Sequence, residues 1–109
     1  MDVNSILIAA LDTYSLDLRD HFKGDTVAIE NTISKCKDYL SHNTVTTDWV
    51  KRNWAIMSPA VKAHRKYLVD DIHHARIIED KEALEKLQAE YYILSPYIEL
   101  FKTFPNFLH

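Results

Sequence analysis

Two aspartate–histidine pairs overlap in the run Tyr67-Leu68-Val69-Asp70-Asp71-Ile72-His73-His74: Asp70 with His73, and Asp71 with His74. On a helix each pair stands one turn apart, the spacing by which helical bundles offer a carboxylate and an imidazole to paired metal ions. Such sites take two pairs from two helices together with further glutamates, and no Glu-x-x-His occurs in this chain. A metal-dependent bundle enzyme built on the 70–79 Asp/His/Glu segment is therefore the second alternative reading, and it needs ligands from another helix. His64, Tyr67, Asp71 and His74 follow one another at spacings of three, four and three. That pattern predicts a partly buried hydrogen-bonded ladder with a structural role.

Other chemistry is thinner still. Glu79, Asp80, Glu82 and Glu85 form an acidic run, but magnesium chemistry on helices needs a second acidic pair on another helix and no Glu-x-x-Asp is present. The run instead suits the positive N-terminal end of a helix, with Glu82 and Lys86 as an i,i+4 pair. Cys36 is the only cysteine and lies at helical spacing among Ile29, Ile33 and Leu40, so burial raises its thiol pKa instead of activating it. A single glycine, Gly24, excludes the phosphate-binding loops of nucleotide enzymes, which need several glycines for close backbone approach. The expectation is a non-enzyme with no catalytic residues, no resident metal and no cofactor.

The elements that would position any site are helical. One glycine in 109 residues leaves no supply of the turn residues that antiparallel sheets require. A lone cysteine rules out an intrachain disulfide, and a reducing, cytoplasmic setting fits best. The longest early apolar run, residues 6–11, is too short to span a membrane and lacks a basic flank. The length suits one core, so residues 1–109 are expected to form a single all-α domain, a compact up-and-down bundle of five to six helices, some short.

Helix one is expected from an Asp2 or Asn4 cap to about Phe22, with Leu7, Leu11, Tyr14, Leu18 and Phe22 facing inward and Lys23 and Gly24 as its stop. Helix two follows Asp25 or Thr26. A short third helix after Thr46 or Thr47 carries Trp49, Val50, Trp54 and Met57. Ser58-Pro59 then reads as the start of a fourth, because proline suits the first helical position. The fourth helix buries Val61, Leu68, Ile72 and Ala75 and ends near Ile78. A fifth, carrying Leu84, Leu87, Tyr91 and Leu94, either follows a break near residues 79–81 or continues the fourth as one bent rod. Ser95-Pro96 repeats the start signal for a last element to about Thr103, and Phe107 and Leu108 give the tail reason to dock.

Charge is distributed unevenly. Residues 1–48 hold eight acids and four bases, residues 49–66 hold five bases and no acid, and residues 67–109 again hold eight acids and four bases. The five bases are Lys51, Arg52, Lys62, Arg65 and Lys66, and Trp49 and Trp54 flank the first two. Tryptophan and arginine are enriched in binding hot spots, so these seven residues are the expected partner-binding surface. The leading reading is a small protein-binding module, an adaptor, inhibitor or immunity-type regulator, that meets an acidic protein surface. Tyr91, Tyr92 and Tyr97 with the stretch from Phe101 to Leu108 are alternative anchors, and self-association into a homo-oligomer is a variant of the same idea. A nucleic-acid-binding regulator using the basic 49–66 segment is the first alternative; the chain's net charge of −3 counts against it.

Overall fold

The computed structural model describes residues 2–104, which form five helices: α1 (Val3–His21), α2 (Val27–His42), α3 (Thr47–Arg52), α4 (Trp54–Ile77) and α5 (Lys81–Thr103). The all-α bundle expected from the spacing of apolar residues is what forms. Antiparallel pairing of α1 and α2 follows from Asp12 bridging Lys37 midway along α1 and Arg19 meeting Glu30 near the end of α1 and the start of α2. Cross-links from Thr13 to His64 and from Asp17 to Tyr67 run in the same sense along both helices, so α4 lies parallel to α1. The α4–α5 turn is tight, which returns α5 antiparallel. The four long helices therefore run up, down, up and down, with α3 as a short link between α2 and α4.

Local chemistry explains the ends. Asp2 caps α1 by accepting from the Ser5 amide at 2.8 Å, Thr46 caps α3 by accepting from Trp49, and Asp80 caps α5 by accepting from Ala83. Along α1, Leu7, Leu11 and Leu18 are buried and Tyr14 is half-buried, as the 3.6-residue period requires. Phe22 departs from this stripe: it has left helical geometry and stands half-exposed. Gly24 does not provide a left-handed stop either, since no glycine has positive φ; its lack of a Cβ accommodates the Phe22 ring, which would lie 2.7 Å from one.

Two expected helix starts lie inside helices. The α3–α4 break falls at Asn53, whose side-chain amide donates to the Trp49 carbonyl at 2.8 Å, and Pro59 sits within α4. Loss of the Pro59 amide is outweighed there by Met57, Ala60 and Val61, all fully buried. Pro96 lies within α5 because the Ser95 hydroxyl donates to the Tyr92 carbonyl at 2.7 Å, the acceptor that the missing proline amide abandons. There are accordingly five helices among the described residues, with no separate element after Pro96; Phe107 and Leu108 lie outside those residues.

The α4–α5 junction is a true turn. The Asp80 amide donates to the Ala75 carbonyl and the Glu79 amide to the Arg76 carbonyl, the paired bonds of a Schellman motif. Glu79 takes the left-handed position, φ 56°, that glycine ordinarily fills. Glu79→Gly is therefore expected to raise stability by about 1 kcal/mol, seen as a Tm several degrees higher in a thermal melt.

The core is one continuous cluster. Leu7 and Leu11 of α1, Ile33 and Leu40 of α2, Val61 and Leu68 of α4, and Leu94 and Phe101 of α5 all belong to it. No helix among the described residues is long and apolar enough to cross a membrane.

Candidate functional site

The histidine-rich stretch of α4 does not assemble into a ligand set. Asp70, Asp71, His73 and His74 are all exposed, and among the described residues no three His, Cys, Asp or Glu side chains converge as a metal site. The expected ladder does not form, because α1 takes both of its first members. His64 shares a 3.0 Å hydrogen bond with the Thr13 hydroxyl, and the Tyr67 hydroxyl donates to Asp17 at 3.4 Å. Burial holds His64 below the usual imidazole range, against the opposing pull of the Glu90 and Asp71 carboxylates. The Asp17 carboxylate beside Tyr67 raises that phenol. Cys36 is buried, its thiol pushed up by desolvation, and it reaches Asn53 Oδ1 at 4.0 Å. Glu82 and Lys86, expected as a pair, make no ion pair among the described residues.

The aromatic and basic segment divides between two helices. Trp49 is only 7% exposed and stacks on Tyr39, with ring centroids 4.7 Å apart. It belongs to the core. Trp54 is 41% exposed and meets Phe104 edge-on at 6.4 Å, at the far end of the α4–α5 pair. Lys51 is half-buried, while Arg52, Lys62, Arg65 and Lys66 are exposed. None of these five bases has an ion pair among the described residues. Lys66 turns toward α1 and lines a shallow depression with Asp17, His21 and Asp70, so its charge is partly offset. Arg65 instead falls, by its spacing of four, three and four to Val69, Ile72 and Arg76, on the side of α4 that faces α5, and exposed Lys62 lies between the two sides.

Toward α5 the surface opens into a groove of about 530 Å³ that the sequence expectations did not include. Val69, Ile72, His73 and Arg76 form its α4 wall, and Gln88, Tyr91, Tyr92 and Ser95 form its α5 wall. The lining is mostly apolar, and Tyr92 is 79% exposed, the most exposed large hydrophobic residue among those described. Arg65, Val69, Ile72 and Arg76 follow each other at four, three and four, which makes one stripe on α4 with an apolar centre and a guanidinium at each end. Arg76, like Arg65, has no ion pair among the described residues.

Of the expected binding residues, then, Trp54 and Arg65 share the α5-facing side of α4, Lys62 is exposed between the two sides, Trp49 lies inside, and Lys66 faces α1. Tyr91 and Tyr92 line the groove, whereas Tyr97 is half-buried against the core. Val69, Arg76, Gln88 and Ser95 are additional. The signal for Val69 and Arg76 in the sequence was the four-three-four stripe continuing past Arg65, hidden because Val69 and Ile72 read as ordinary apolar positions; Gln88 and Ser95 lie on α5 and carried no such signal.

These features define an all-α bundle carrying a mostly apolar groove that includes Arg76, a base without an ion pair among the described residues. Comparison with protein-family models, with curated proteins and with solved structures gives no match to the chain.

Proposed function

We propose that this chain is a small non-enzymatic protein-binding module, acting as an adaptor, inhibitor or immunity-type regulator in the cytoplasm, and that its contact surface is the outer face of the α4–α5 pair. The observation that carries this reading is Tyr92, 79% exposed above an apolar groove whose α4 wall includes Arg76, with Arg65 one helical turn before Val69 on the same stripe and neither arginine in an ion pair among the described residues. A large aromatic beside unsatisfied guanidinium groups is the composition of an interface centre with a charged rim. A groove between two helices receives a third helix by ridges-into-grooves packing, and the charges select one with acidic residues. Nucleic acid is the weaker reading, because the bases bracket an apolar floor instead of forming an unbroken track for phosphates.

A photo-crosslinking residue placed at Tyr92 and, separately, at exposed Lys35 on α2 tests this in cells expressing the chain. Strong, discrete adducts at position 92 that weaken several-fold when Arg65→Glu and Arg76→Glu are added are the expected outcome. Equal labelling at both positions, or none at position 92, would remove the groove from the binding surface.

A further inference from the structure

Resting on that reading of the α4–α5 face, we infer that the acidic helix it receives is α5 of a second copy of this chain. The α5 surface beside the groove carries Glu85, Gln88, Tyr92, Ser95 and Glu99 at spacings of three, four, three and four. This stripe has an aromatic centre and a carboxylate at each end. The α4 stripe has an aliphatic centre, Val69 and Ile72, and a guanidinium at each end. Opposite charges therefore bracket the two halves of one face.

The ends also lie at similar heights, to within about one helical turn. Arg76 shares the turn end of the pair with Leu84, next to Glu85. Arg65 stands eleven residues earlier, about 16 Å away along α4, and Glu99 stands fourteen residues after Glu85, about 21 Å along α5. Within one chain neither Arg65 nor Arg76 is paired among the described residues, nor is Glu85. Glu99 holds Lys102 in a 2.8 Å contact with both side chains more than 60% exposed, and such a pair is weak enough to exchange.

A two-fold axis that lays α4 on the partner's α5 sets each basic end on an acidic end, and Val69 and Ile72 against the partner's Tyr92. The same interaction is made twice, as an isologous interface requires. A two-fold that laid α4 on α4 would set guanidinium on guanidinium, so the charge pattern also selects the arrangement. The product is a four-helix layer of two antiparallel pairs. Its size is adequate: helices of 24 and 23 residues present a face roughly 35 Å by 20 Å, on the order of 700 Å², close to the roughly 800 Å² per partner of a stable interface.

Light scattering on the purified full chain reads this directly. At tens of micromolar the expected mass is twice that of the 12.7 kDa chain. Two double variants at exposed positions, Arg65→Glu with Arg76→Glu and Glu85→Arg with Glu99→Arg, should each weaken the dimer about 100-fold or more, because like charges then face each other at both ends. Their helicity should stay that of the parent, and their melting should match that of the parent diluted until it is monomeric, because dimerisation itself raises the melting temperature. Mixed in equal amounts, the two variants should regain the doubled mass, since the reversed charges complement one another across the interface. A parent chain of single mass up to millimolar concentration overturns the inference, as does a dimer that survives both double variants or a mixture that stays monomeric. A single-mass chain that still gives adducts with another protein at position 92 ends the self-association inference while leaving the protein-binding reading standing. A single-mass chain with no such adducts ends both.

Discussion

Replacing Leu11 with alanine is expected to lower the stability of the fold by about 3 kcal/mol. Leu11 is fully buried on α1, a helix that packs against α2, α4 and α5 together. Removing its branched end takes away transfer free energy and leaves a cavity that three neighbouring helices cannot all close upon. Domains of this kind have roughly 5–15 kcal/mol in total, so the loss is a large fraction of what holds the chain folded. Leu11→Met keeps the volume and should cost less than about 1.5 kcal/mol. Urea titrations of the three proteins check both expectations: the midpoint should fall steeply for alanine and slightly for methionine, with the slope unchanged.

Asn4→Ala is the second, with an expected loss of about 2 kcal/mol. Asn4 lies in the first turn of α1 but does not cap it. Its amide nitrogen donates to the carbonyls of Leu40 at 2.8 Å and Asn43 at 2.6 Å, and its Oδ1 accepts from the Val45 amide at 3.3 Å. One side chain thus ties the end of α2 and the following loop to α1, and alanine abandons three backbone groups together. Asn4→Asp is expected to be worse than alanine despite its matching shape, because a carboxylate cannot donate and would face two carbonyl oxygens. The few tenths of a kcal/mol that an acid gains at a helix N-terminus do not offset this. Thermal melts above about pH 6, where the introduced carboxyl is ionised, should rank parent, alanine and aspartate in that order. Aspartate equal to the parent would contradict the hydrogen-bond assignment.

Asn4 also illustrates how much the residues disclose before folding. As a sequence signal it reads as a possible cap beside Asp2, and the amino acid type is right for either role. Only the arrival of the α2 end decides that Asp2 caps and Asn4 clamps. Inward stripes on α1 and α2 were legible because 3.6-residue spacing is a local property, and the Thr46 cap was legible because its side chain reaches its own helix. Pro59 and Pro96 mislead as sequence signals for different reasons: the cost of Pro59 is offset by tertiary burial around Met57, which local spacing does not announce, whereas that of Pro96 is offset by the adjacent Ser95 hydroxyl, a residue type that reads equally well as a helix cap. Glu79 hid the α4–α5 turn by occupying a place where glycine would have announced it.

The binding face was half legible. Lys62 and Arg65 stood out as unopposed charge, and Tyr91 and Tyr92 as a cluster. Joining them needed α4 and α5 side by side, a pairing that no local spacing encodes. Trp49 and Trp54 looked equivalent because both flank Lys51 and Arg52, yet the break at Asn53 places them on different helices, one turned into the core and one outward. The histidines failed as a ladder through the same kind of long-range event, since α1 brought Thr13 and Asp17 to partners that the α4 spacing had assigned to one another.

Whether the outer α4–α5 face is covered in the working protein is tested most directly by a photoreactive group carried by residue 92 inside the cell. A covered face requires that group to capture a defined polypeptide, and to lose the capture when the guanidinium groups at positions 65 and 76 become carboxylates. Labelling by water alone, with no polypeptide captured from that position, would show the groove to be an open surface and contradict a binding role for it.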